Sequence, residues 1–170
     1  LGIWIGLISV LMLFLALTSA YIVNRAHFFP LIVPPVLWLN TAVILTSSLT
    51  FEAARRSLRH GSEAALNGWL MVTAVLGLGF LVGQLVAWQQ LVASGFYLST
   101  NRHSAYAYTF TGLHALHLAG GLLALLYVLV RTRRGWAAPR KRVSIDATAI
   151  YWHFMDGLWI YLFILLFFWR

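Results

Sequence analysis

Cysteine is absent from the 170 residues, and only four of them are acidic. The first absence removes disulfides, thiolate metal sites, iron–sulfur clusters and a cysteine nucleophile. The second leaves little carboxylate for a proton pathway or for paired acid–base chemistry. Charged residues of either sign make up 9% of the chain against 61% hydrophobic ones, and mean hydropathy is +0.82. A soluble domain carries roughly a quarter charged residues, so this chain lacks the polar surface to cover a globule in water. A soluble enzyme, a disordered tail and a nucleic-acid-binding domain are disfavoured together. Also missing are the alternating strands of a membrane barrel, a phosphate-binding glycine loop, a serine triad and a two-carboxylate hydrolase pattern. Nothing in the chain reads as a self-sufficient active site.

What is there is apolar sequence in span-length pieces. A bilayer core about 30 Å thick needs roughly 20 apolar residues of helix. Five segments meet this, at about 1–23, 35–55, 64–93, 104–130 and 146–169. The longest uncharged stretch, Ala64 to Asn101, exceeds one span, and Ser94-Gly95 marks its exit. Asn24 to Pro34, with Arg25, His27 and Pro30, forms the first connection, and Pro35 opens the second helix. Gly61 and Gly135 punctuate two further turns. The apolar run from Leu1 has no basic leader and no small-residue cleavage pattern, so no cleavable signal peptide is expected. The expected fold class is all-α: one membrane domain over 1–170, a five-transmembrane-helix bundle.

Basic residues sort by side. Arg55, Arg56 and Arg59 follow the second helix; Arg131, Arg133, Arg134, Arg140, Lys141 and Arg142 follow the fourth. Arg25, Arg102 and Arg170 fall on the other side. The positive-inside rule then puts the N-terminus in the cytoplasm and the C-terminus outside. Cations clustered at a helix end beside apolar surface also suit lipid headgroups, which makes Arg55, Arg59 and His60 candidate contacts. Solvated topology charges are the plainer account. The run from Arg131 to Arg142 carries the same two readings.

Lipid supplies no hydrophobic drive for helix association, so close packing needs small residues. Gly2 and Gly6, then Gly79, Gly83 and Ala87, then Gly120 with Ala124 and Ala115 with Ala119, offer them on three helices. Asn40, Thr41, Thr46, Ser47, Ser48 and Thr50 suit the second helix to interhelical hydrogen bonds. Gln84, Trp88, Gln89 and Gln90 end the third; a quinone or headgroup site competes there with a plain interfacial belt.

Ionisable residues inside a membrane are costly, and four require an account: His114, His117, His153 and Asp156. Each pair is spaced i,i+3 and shares a helix face. His117 lies 14 residues before Arg131 and Asp156 lies 13 after Val143, so both sit about 20 Å from the basic end. The pairs are therefore at matching depth on consecutive antiparallel helices. One reading is a metal or haem site, although Trp152 and Leu116 crowd the neighbourhood. The other is a metal-free hydrogen-bonded cluster, with His114 or His117 bonded to His153, Asp156 or a neighbouring helix.

The run Thr111-Gly112-Leu113-His114-Ala115-Leu116-His117 with Gly120-Gly121 resembles the Gly-Leu-His-x-x-His motif of the cytochrome c oxidase subunit III family. Tyr151-Trp152-His153-Phe154-Met155-Asp156 resembles its Tyr-Trp-His-Phe-x-Asp, and Leu39-Asn40-Thr41 with Ser47-Ser48 its Leu-Asn-Thr … Ser-Ser pattern. Ser19-Ala20-Tyr21 also fits. The resemblance covers nearly the whole chain, in order, and matches the shorter five-helix bacterial type. It implies a non-catalytic subunit of a proton-translocating oxidase in a bacterial plasma membrane, active in aerobic electron transport. No cofactor is implied in this chain. Haems and copper belong to partner subunits, with structural phospholipid held here and oxidase subunit I, other oxidase subunits and membrane lipids as partners. Two departures stand out. Val10 and Ala87 occupy positions where members of the family commonly carry Glu, so proton feeding through those carboxylates is unsupported. The alternatives are subunit III of a quinol oxidase or nitric oxide reductase, or a haem-b or quinone-binding dehydrogenase anchor using His114, His117 and His153. An autonomous transporter would call for an inverted repeat or broken helices, and neither is visible.

Overall fold

The computed structural model describes residues 2–23, 35–93, 95, 102–135 and 138–168. The apolar segments all become helix: α1 Gly2–Val23, α2 Pro35–Arg59, α3 Glu63–Ala93, α4 Arg102–Arg133 and α5 Ala138–Phe167. Each contains a stretch long and apolar enough to cross a bilayer. The first connection, residues 24–34, and the side chains of Arg25, Arg102 and Arg170 lie outside the described residues.

Helix ends differ from the sequence expectation on the basic side. Arg56 and Arg59 close α2, Arg131 and Arg133 close α4, and α5 begins before Arg140, Lys141 and Arg142. Most of these cations are helical rather than in loops. Arg and Lys are good helix formers, cations favour a helix C-terminus, and Pro139 in the first turn of α5 donates no hydrogen bond that the helix needs there. The α2–α3 turn is held by Gly61 at φ 73°. Ser62 N–H donates to Ser57 O at 3.1 Å and Gly61 N–H to Leu58 O at 3.3 Å. This is a Schellman closure, which needs the left-handed conformation at its glycine.

α2 and α3 pack along their length, α5 lies on α2 and α4, and α4 on α3; α1 is peripheral, resting on α4 and α5. Phe14, Phe51, Phe80, Phe110, Trp152 and Trp159 are fully buried between them. The glycines that admit close approach are Gly77, Gly83 and Gly121. A Cβ on Gly77 would meet the Trp152 ring at 2.6 Å, one on Gly83 the Asn40 amide at 1.9 Å, and one on Gly121 the Tyr151 ring at 2.8 Å. Gly2, Gly6, Gly79 and Gly120 have no such neighbour, so of the predicted small-residue contacts only Gly83 and the buried Ala87 lie in the packed α3 face.

Candidate functional site

Polar side chains on α2 are spaced so that successive ones point at α3 and α5. Asn40 Nδ2 donates to the Phe80 carbonyl of α3 at 3.3 Å, and the Thr50 and Thr73 hydroxyls are 2.8 Å apart. Toward α5, Trp159 Nε1 donates to Thr41 Oγ1 at 3.1 Å and Trp152 Nε1 to Ser47 Oγ at 3.0 Å. Ser48 Oγ lies 2.5 Å from His153 Nδ1. Thr41, Ser47 and Thr50 also donate to carbonyls of their own helix, and Thr46 bonds there alone among the described residues, to the Ala42 carbonyl. Each bond gives a tryptophan, histidine or hydroxyl a partner that hydrocarbon lacks.

The four intramembrane ionisable residues do not form one network. His114 is fully buried; Phe80 stands edge-on to its ring at 5.9 Å and Trp159 lies at 5.3 Å. Neither of its ring nitrogens has a hydrogen-bond partner among the described residues. His117 turns toward α1, where Phe14 meets it edge-on at 6.0 Å, and its Nδ1 bonds the Leu113 carbonyl of its own helix at 2.7 Å. His153 points to α2. Asp156 is 3% exposed, beside Ser48, and neither carboxyl oxygen has a bond of good geometry among the described residues. The expected bond from His114 or His117 to His153 or Asp156 is thus replaced by a bond between α5 and α2. The physical reason is angular. Residues i and i+3 are about 60° apart around a helix, enough for His114 and His117 to face different neighbours.

α4 and α5 are joined elsewhere, by Tyr151 OH donating to the His117 carbonyl at 2.9 Å. That contact was not foreseen, and its signal was the absence of a side chain at Gly121, against which Tyr151 packs. Among the described residues, no three His, Asp or Glu side chains converge at distances suited to one metal ion. The cation-bearing ends of α2, α4 and α5 meet the start of α3. Arg55 bridges Glu52 and Asp146, each at 3.0 Å, Lys141 Nζ binds Glu63 at 2.6 Å, and Thr132 Oγ1 donates to Asn67 at 2.9 Å. Three of the four carboxylates are spent there, and Arg55, a candidate headgroup contact, is engaged by two of them. Arg59 and His60 remain exposed. Val10 and Ala87 are both buried among apolar neighbours.

This arrangement binds helices to one another and offers no convergent donor set among the described residues. Residues 27–170 match the family described as cytochrome c oxidase subunit III. Over 98% of this chain and 73% of the other, it is 32% identical to cytochrome c oxidase subunit 3 of Synechocystis. It is also 32% identical to the probable cytochrome c oxidase subunit 3 of Mycobacterium tuberculosis, over 99% of this chain and 87% of that one. Identity to the cytochrome bo(3) ubiquinol oxidase subunit 3 of Pseudomonas putida is 27%, over 96% and 82%. The chain belongs to the cytochrome c oxidase subunit III family, a multi-pass membrane subunit of a respiratory haem-copper oxidase from a family that carries no redox centre of its own.

Proposed function

We propose that the chain is the structural, lipid-holding subunit III of a cytochrome c oxidase, packed on the haem- and copper-bearing subunit I. The carrying observation is the family match, joined to a membrane interior whose polar side chains serve joints between helices. Cytochrome c is the favoured donor because the relatives named for it are nearer in sequence than the quinol oxidase relative. Ser48 and His153 fix the register of α5 on α2; His114 and His117 fill the α3–α4–α5 and α1–α4 junctions. The nine cations gathered at one end support a cytoplasmic N-terminus and an external C-terminus in a bacterial plasma membrane. Phospholipid headgroups would bind at Arg59 and His60, since Arg55 is already neutralised.

Affinity purification through a tag on this chain, from its own membranes in mild detergent, tests the reading. The expected result is a complex with a haem-bearing subunit that oxidises reduced cytochrome c, with ordered headgroup density near Arg59. Oxidation of quinol alone would assign the subunit to a quinol oxidase. Recovery without any haem-bearing partner would overturn the assembly, and headgroups confined to the opposite face would overturn the lipid site.

A further inference from the structure

Neither α1 nor the stretch of α3 from Ala64 to Ala93 contains an acidic, basic or histidine residue. Apart from Gln89 and Gln90 at the end of α3, their large exposed side chains are apolar through the middle of the membrane, such as Ile8 and Met12 on α1 and Val75 and Leu78 on α3. Acyl chains cover such faces without cost. The seam between α2 and α5 is different. Along it run Glu52, Arg55 and Asp146, then Ser48 with His153, then Asp156, then Thr41 with Trp159. His153 is only half-buried, so its ring reaches the surface near the middle of the membrane. Ser48 engages Nδ1, and Nε2 has no hydrogen bond to a described residue. Whichever nitrogen carries the proton, one hydrogen-bonding position is left over, and hydrocarbon cannot fill it. Ionisable groups at such depth face a protein interior or a watery cavity. His117, the other half-buried histidine among the described residues, is already roofed by Phe14 of α1.

We infer that the α2–α5 seam, at the level of Ser48 and His153, is the face on which another transmembrane subunit of the oxidase packs. A helix of that subunit gives His153 Nε2 its partner, a hydroxyl, carboxamide or carboxylate. Leu45, exposed and one turn from Ser48 on the same side of α2, lies inside the contact. Polar residues at helix contacts in membranes have this use, bonding across where lipid offers nothing. The inference rests on the reading of the chain as packed on a larger oxidase subunit, and adds which face does the packing.

The test uses assembled oxidase in native membranes, with the photo-crosslinking residue benzoylphenylalanine placed singly at Leu45, Met12 or Val75. Products are identified by mass spectrometry. The Leu45 probe is expected to join the chain to another oxidase subunit, and the other two to lipid. Capture of the subunit from Met12 or Val75, with lipid alone from Leu45, would overturn the chosen face while leaving the assembly standing. Capture of no subunit from any position would overturn both. A second readout is retention of the chain in purified oxidase. Leu45→Trp should lower it at least about threefold, the equivalent of one membrane hydrogen bond of about 0.6 kcal/mol, and Val75→Trp should leave it unchanged. Equal retention of the two variants would contradict the inference.

Discussion

Gly83→Ala places one methyl group where α3 has no room for it. The added carbon would stand 1.9 Å from Asn40 Oδ1 and 2.8 Å from Asn40 Cγ, and real Cβ atoms essentially never approach within 3.0 Å. Asn40 is 3% exposed, so its amide cannot swing into open space. Moving it breaks the bond from Nδ2 to the Phe80 carbonyl. Losing that bond costs about 0.6 kcal/mol on the membrane average, and leaving the buried amide unpaired adds about 1–3 kcal/mol. Overpacking contributes about 1–3 kcal/mol more. The expected destabilisation is therefore about 3–7 kcal/mol, before any relaxation of the α2–α3 contact. Gly79→Ala is the matched control, since nothing lies within 4 Å of its added methyl. There the exchange should be neutral or stabilising by up to about 1 kcal/mol, the helix-propensity difference. Combining Gly83→Ala with Asn40→Ala should return most of the loss, because the methyl then enters the space the amide leaves. Equilibrium unfolding in mixed micelles, followed by far-ultraviolet circular dichroism, measures the parent, the double variant and the Gly83→Ala, Gly79→Ala and Asn40→Ala single variants. Equal stability of the Gly83→Ala and Gly79→Ala variants would refute the reasoning, as would a double variant weaker than the sum of its parts.

Ser48→Ala and His153→Phe should be coupled by about 0.6 kcal/mol in a double-mutant cycle, read from the same unfolding curves; a coupling of zero would mean the bond between α2 and α5 contributes nothing. Asp156→Leu should leave stability unchanged or raise it by about 1–3 kcal/mol, because the carboxyl it removes has no hydrogen bond of good geometry. A marked loss in thermal stability would show that Asp156 has a partner in the assembled membrane. Arg55→Ala leaves Glu52 and Asp146 without their shared cation, so its thermal midpoint should fall below that of Arg59→Ala, whose guanidinium is exposed; identical midpoints would contradict the bridging role.

Hydropathy made the helices legible, because a span must be apolar over most of its length whatever it packs against. The ends were less so. Arg131 and Arg140 read as loop residues by charge, yet both are helical, since long cationic side chains extend from a helix end into water while their backbone stays paired. The polar residues of α2 were legible as bonding groups, and five of the six do bond across to another helix. Their partners were not. Neighbours in sequence pointed to α4 as the companion of His153 and Asp156, whereas α5 turns that face to α2 and offers Tyr151 to α4. Periodicity states which residues share a face, and it is silent on which non-consecutive helix that face meets. Glycine carried a similar ambiguity. Gly79 and Gly83 are equivalent by spacing, and only the position of Asn40 separates them.

The central claim is that the membrane histidines join helices and carry no cofactor. The direct measurement is the visible spectrum of this chain after its release from purified oxidase, taken with the spectrum of the remaining complex. A colourless chain and an undiminished haem signal in the complex are the expected result. A Soret band stoichiometric with the released chain, lost on replacing His114, His117 or His153, would contradict it.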